Sequence, residues 1–250
     1  MIILAALLAA AAPQAVPANV APPPAKADSD CDKRNGAQKA ACLAVSRQLA
    51  GRFAEAAQQF EAGAGMLKPG DGDADRMLAA AGNMWIAAGE PGKAALALDK
   101  ALTGSGLLAN QRGEALLDRA RAAEAQGDLK TARAKVSAAA ATIPEDAFLW
   151  YFSAALAIRE NDAATAKLAI VRALALAPND PVILFEAGHV YEFAGDEAKA
   201  RDNWTKASAA DPKGKPGDAA RRALAMLDVP LTVTNKVTSQ PVEEDKAGKE

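Results

Sequence analysis

Two cysteines, one histidine and a short run of aspartates are the residues of this chain best suited to chemistry. Cys31 and Cys42 can form a disulfide if the chain enters an oxidising compartment, where an even cysteine count favours pairing. A continuous helix would hold them about 16 Å apart by helical rise, too far for a bridge. The bridge therefore needs a chain reversal, and Asn35-Gly36 supplies one. The alternative is two free thiols in a reducing compartment. His189 stands alone, and two sulfurs with one distant imidazole do not make a metal site. Asp71-Gly72-Asp73-Ala74-Asp75 imitates the start of a calcium loop, but Arg76 and Gly82 stand where that loop needs its glycine and glutamate. It reads as a loop and helix N-cap. Asn203-Trp204-Thr205 has the form of a glycosylation sequon but lies mid-helix, and is discounted.

The sequence contains no Gly-x-Ser-x-Gly, no Cys–His arrangement and no phosphate-cradling glycine loop followed by Lys-Ser/Thr. Neither an enzymatic activity nor a cofactor is expected. Formal net charge is −2 with both signs interspersed. That leaves no basic stripe for nucleic acid or an anionic membrane.

The elements that must position these residues follow from a repeat. A turn column reads Gly51, Gly89, Gly127, Asn161, Gly195, at steps of 38, 38, 34 and 34 residues. Five residues later comes an alanine column: Ala56, Ala94, Ala132, Ala166, Ala200. Next come a bulky column (Phe60, Leu98, Val136, Ile170, Trp204) and a small one (Gly63, Ala101, Ala139, Ala173, Ala207). Pro144, Pro178 and Pro212 close the last three units. Alanine makes up 66 of 250 residues, so its column alone carries little weight; the coincidence of all the columns decides. Between columns the apolar spacing is helical, as in Trp150, Ala154 and Ala157, then Ala166, Ile170 and Ala173 after the break at Asn161-Asp162. A unit of this length cannot bury its apolar face alone, so copies must stack.

Helix pairs with these columns resemble the tetratricopeptide repeat, in its exported bacterial type. The best matches are Trp150 to Pro178 and Leu184-Ala187-Gly188-Tyr191 to Pro212, followed by Leu78, Ala81, Gly82, Trp85, Ala94, Leu98 and Ala101. The third unit departs at Arg119, and the first at Ala40 and Arg47. The resemblance covers about residues 37–214. It implies an all-α, right-handed α-solenoid of about five helix-turn-helix repeats, and a binding role in place of catalysis. The two long steps are expected to carry their extra residues at Gly70-Asp71-Gly72-Asp73 and Thr103-Gly104-Ser105-Gly106. Such junction loops leave room for the first two units to tilt against the rest.

Residues 1–18 read as a secretory signal: Ile2 to Ala12 is an unbroken apolar run, and Ala15-Val16-Pro17-Ala18 suits cleavage. The alternative is an uncleaved anchor or an apolar tail. A Pro/Ala-rich linker is expected over 19–35, the solenoid with its capping helix over 36–229, and a disordered tail over 230–250. In the capping helix, Ala220, Leu224 and Leu227 form the apolar stripe that covers the last repeat. These features predict a periplasmic protein with no membrane span once the signal is removed.

The resemblance implies that the first helix of each pair lines a concave groove. Of eleven aromatics, Phe53, Phe60, Trp85, Trp150, Tyr191 and Trp204 fall on packing columns. Phe148, Tyr151, Phe152, Phe185 and Phe193 do not, and His189 lies between the last two. The groove is expected to carry Phe148, Tyr151, Phe185, His189 and Phe193 at its C-terminal half. Arg76, Asn83 and Arg121 would give its N-terminal half basic character. The competing reading packs these rings between helices, Phe152 above all. The expected function is a non-enzymatic adaptor that binds a protein or peptide partner in the groove, in envelope assembly or cell division. The alternative is an accessory subunit of an envelope enzyme or assembly complex that uses its convex or loop surface.

Overall fold

A computed structural model describes residues 30–68 and 70–228. The signal expected over 1–18, residues 19–29 of the linker and the tail expected over 230–250 lie outside the described residues. Five antiparallel pairs and a final helix follow in order: α1 (Gly36–Leu49) and α2 (Phe53–Gly65), α3 (Gly72–Ala87) and α4 (Pro91–Thr103), α5 (Ala109–Ala125) and α6 (Leu129–Ala140), α7 (Ala147–Arg159) and α8 (Ala163–Leu176), α9 (Pro181–Phe193) and α10 (Glu197–Ala210), then α11 (Lys215–Leu227). No strand occurs among the described residues. Each helix packs on the next along the chain, and first helices α3 and α5, and α7 and α9, also meet directly. The fold is an all-α solenoid.

The turn column ends the first helix of every pair in one way. Gly51, Gly89, Gly127 and Gly195 have φ of 70, 75, 80 and 77°, and Asn161 has 58°. Glycine and asparagine enter this left-handed region at least cost. The turn residue's N–H bonds three residues back, and the next N–H bonds five residues back, as in Asn161 to Ile158 and Asp162 to Ala157. This double closure satisfies carbonyls that the helix end would otherwise strand. The second helix then starts at once. In the last three units its N-cap is Asp128, Asp162 or Asp196, and each carboxylate accepts the N–H of Thr131, Thr165 or Lys199 at 3.0–3.1 Å. Side-chain hydrogen bonds from the same Thr131, Thr165 and Lys199, and then these backbone ones, hold all three carboxyls below the usual aspartate range. In the first two units, Arg52 and Glu90 make no side-chain cap.

The columns form the core. All five residues of the alanine column are fully buried, and the bulky column is at most 9% exposed. Seven residues before each turn stands a small residue: Ala44, Gly82, Ala120, Ala154 and Gly188. A side chain on Gly188 would run into the Trp204 indole, and one on Gly82 into Leu98. The largest core residue therefore faces the smallest partner. Volume matched this way lets interior packing approach that of a crystal. The three indole N–H groups donate to Glu61, to the Pro144 carbonyl and to the Phe185 carbonyl.

Where the sequence departs from the pattern, polar partners take over. Arg119 meets Asp99 at 2.8 Å, and Arg47 meets Glu55 at 3.3 Å. Asn203 is buried and donates to the Lys199 carbonyl, so the sequon amide is occupied. The seam between the third and fourth pairs has an apolar core of Leu117, Val136, Leu149, Phe152 and Leu156, with ion pairs beside it. Arg133 bonds Glu160 and the buried Ser153, and Arg159 pairs with Glu124.

The two long junctions close on each other. Gly72 already belongs to α3, and its backbone touches that of Gly106, where a side chain would collide. Asp75 accepts the Gly106 N–H at 2.8 Å, and Arg112 donates to the Leu102 carbonyl at 2.9 Å. The extra residues thus make a lock between the second and third pairs, not a free tilt. The aspartate run serves this lock: Asp71 caps α3 through the Asp73 N–H, and Asp73 pairs with Arg76.

Both ends are covered. Cys31 and Cys42 are bridged, with Cα atoms 5.5 Å apart. The reversal is at Asn35-Gly36, where Gly36 has φ 53°. Asp30 and Cys31, expected in the linker, are helical, and Cys31 is fully buried because the bridge ties it to α1. At the other end Ala220, Leu224 and Leu227 of α11 lie on the last core cluster, and Arg201 holds Asp228 at 2.8 Å.

Candidate functional site

The first helices of neighbouring pairs meet directly, α3 with α5 and α7 with α9. Between α1, α3 and α5 lies a groove of about 410 Å³. Gln48, Asn83, Gln111, Glu114 and Asp118 give it polar walls, and Phe60, Met84 and Leu107 give it apolar ones. Arg76 and Asn83 line it as expected, but basic character does not result. Arg76 is occupied by Asp73 and by the Gly106 carbonyl. Arg121 gives its charge to Asp118 at 2.8 Å. The aspartate, unread in the sequence, organises this half: Asn83 Nδ2 also donates to it, at 2.7 Å.

Arg121 joins the two halves. Its guanidinium lies 5.5 Å from the centre of the Phe148 ring, and Phe148 lies 5.3 Å from Tyr151. Asn83, Arg121, Phe148 and Tyr151 therefore form one strip across α3, α5 and α7. Phe148 is 43% exposed, whereas Tyr151 and Phe185 are half-buried against the core. Phe185 meets His189 edge-on at 4.5 Å, and His189 meets Trp204 at 5.3 Å. Burial pushes the imidazole below its ordinary value, although Glu192 pulls the other way. Phe193 is 37% exposed at the end of α9. Phe152 is buried beside Leu117 and Leu149, as the packing reading has it.

The residue that sequence reading missed is Glu186. It is 6% exposed on α9, and its Oε1 is buried with no hydrogen-bond partner. Burial pushes its carboxyl up to about 7. Burial, and then the Glu186 charge, push the Tyr151 phenol up to about 12, so the two groups are electrostatic neighbours. On the largely apolar α9 a glutamate read by type alone passes for a solvated one; its register with Asp118 marks it. This strip offers rings, amides and carboxylates for non-covalent recognition. It does not assemble a nucleophile with a base.

No protein-family model matches the sequence, and no curated protein matches it either. Solved structures match its fold. YrrB, "a TPR protein with an unusual peptide-binding site", superposes with a TM-score of 0.54 at 18% identity, covering 79% of this chain and 97% of that one. PilW, a "widely conserved type IV pilus biogenesis factor", gives 0.63 at 14% identity, covering 74% and 82%. The APC/C hetero-tetramer Cut9–Hcn1 gives 0.64 at 18% identity, over 80% of this chain but only 38% of that one. At these identities the likeness is one of fold. The chain has the fold of a tetratricopeptide-repeat protein.

Proposed function

We propose that this chain is a non-enzymatic adaptor of the bacterial periplasm that holds a polypeptide partner along the first-helix strip. The observation that carries this reading is the continuous run Asn83, Asp118, Arg121, Phe148, Tyr151 on three successive first helices. The exposed Phe148 ring and the half-buried Tyr151 ring, beside a fixed amide and charges, suit a peptide or helix with the rings as anchors. YrrB carries a peptide-binding site on this fold, and PilW is a biogenesis factor. Envelope assembly or cell division is the proposed setting. The Cys31–Cys42 bridge suits an oxidising compartment, and no helix among the described residues is long and apolar enough to cross a membrane. Photo-crosslinking in cells tests the groove. A photoreactive residue at Phe148 should capture one protein that the same residue at Leu168, on α8, does not. Equal capture from both positions contradicts the reading. Mass spectrometry of the mature chain should find a new N-terminus near Asn19, and an intact Met1 contradicts export.

The second-helix side of the stack supports a second reading. Leu96 on α4 and Leu168 and Val171 on α8 are 54–76% exposed on second helices. An accessory subunit of an envelope complex would use that side. Capture at Leu168 and not at Phe148 selects it.

A further inference from the structure

Asp118 and Glu186 hold the same place in their repeats, nine residues before Gly127 and Gly195. Each lies on a first helix. The carboxylate of Asp118 is served entirely from within the molecule. Asn83 donates across the seam at 2.7 Å, and Arg121 donates from one turn further on at 2.8 Å. In the register of those two donors, Glu186 finds Ala155 and His189. Ala155 has nothing to donate. His189 turns Nδ1 toward Glu192, 3.6 Å away, and sets its ring against Phe185 and Trp204. No described residue donates to Glu186 Oε1, and that atom is sealed from water.

A buried carboxylate oxygen without a partner destabilises a fold, and an amide or an apolar residue would serve packing better. Glu186 stands where the same repeat position elsewhere needs two donors. Ala155 supplies no donor there, and the Tyr151 phenol lies near enough to feel the Glu186 charge. Ring faces attract cations.

We propose that Glu186 receives a cationic side chain, arginine or lysine, from the polypeptide held in the groove, with the Tyr151 ring near it. The incoming guanidinium or ammonium supplies the donors that Asn83 and Arg121 supply to Asp118. The inference rests on the groove reading and narrows it: one partner residue that enters the C-terminal half is basic.

The test uses the full mature chain and two blocked pentapeptides, acetyl-Gly-Phe-Arg-Phe-Gly-amide and its norleucine counterpart, titrated calorimetrically. The arginine peptide should bind the wild-type protein about tenfold more tightly, the difference that charge-assisted hydrogen bonds supply. In Glu186→Gln that ratio should fall to about one. The variant should also melt no lower than wild type, which separates a binding loss from a folding loss. Equal affinities for the wild type, or a ratio that survives in Glu186→Gln, overturn the cation site. The norleucine peptide still docks in those cases, so the groove reading survives. Failure of both peptides also overturns the cation site, while crosslinking at Phe148 judges the groove separately.

Discussion

The last two helix pairs and the first two reach one architecture by opposite routes. In α7 to α10 every helix is started by an aspartate: Asp146, Asp162, Asp180 and Asp196 each accept backbone N–H groups of the first turn. The repeats there are 34 residues long, proline-closed, and filled by Ile170 and Trp204. In α1 to α4 only Asp71 caps a helix with its side chain. Long-range ties replace the missing local signals: the Cys31–Cys42 bridge, Arg47 with Glu55, Trp85 with Glu61, and the contact of Gly72 with Gly106. Strong local signals make a repeat recognisable in sequence. Weak ones leave its order to contacts that no short window contains.

The largest way to break the comparison is through the C-terminal core. Trp204→Ala leaves a cavity against Gly188 and should cost about 3–5 kcal/mol, read as a lower melting temperature. Cys42→Ser should follow at about 2–3 kcal/mol by the chain-entropy model. Hydrogen exchange should then accelerate in α1 and α2 while α9 and α10 stay protected. Uniform acceleration would mean that the two halves are not held separately.

Glu186→Gln should act in the other direction and depend on pH. The folded carboxyl lies at about 7, above the ordinary 4.5 of a glutamate. Its contribution to stability is therefore whole below about pH 4.5 and is lost as pH rises through about 7. Melting scans should show the variant gaining most over wild type near pH 8 and least near pH 4.5. A gain independent of pH would detach Glu186 from the effect.

The caps should give the smallest effect. Asp162→Ala should lower the melting temperature, whereas Glu90→Ala at the same repeat position should leave it nearly unchanged. The Asp162 carboxyl lies below 3.8 when folded, chiefly through its hydrogen bond with Thr165. Its stabilisation is present above that range and disappears as pH falls through the folded value. The two variants should therefore differ at neutral pH and converge in strong acid.

Period made the fold legible. Turn, alanine, bulky and small columns repeat because each unit solves one packing problem, and all appear in the structure where their spacing puts them. The groove was legible only in part. Phe148 and Phe193 stand exposed, but Tyr151 and Phe185 serve the core as well as the surface, a division that spacing cannot express. Arg76 and Arg121 read as free charge until Asp73 and Asp118 are placed beside them. Glu186 was hidden because its meaning lies in what is missing around it, and that appears only when two repeats are compared atom by atom.

The cysteine bridge also bears on how the chain matures. With two cysteines in the sequence there is one possible intramolecular pairing. Oxidation within a single molecule cannot be scrambled, so no isomerase is needed to correct it. The paired residues are separated by 11 positions near the start of the solenoid. If the chain is exported, as proposed, an oxidant could join them before the later repeats stack. The least regular unit would then be the first one fixed, and it would offer a finished surface on which the remaining pairs assemble in order.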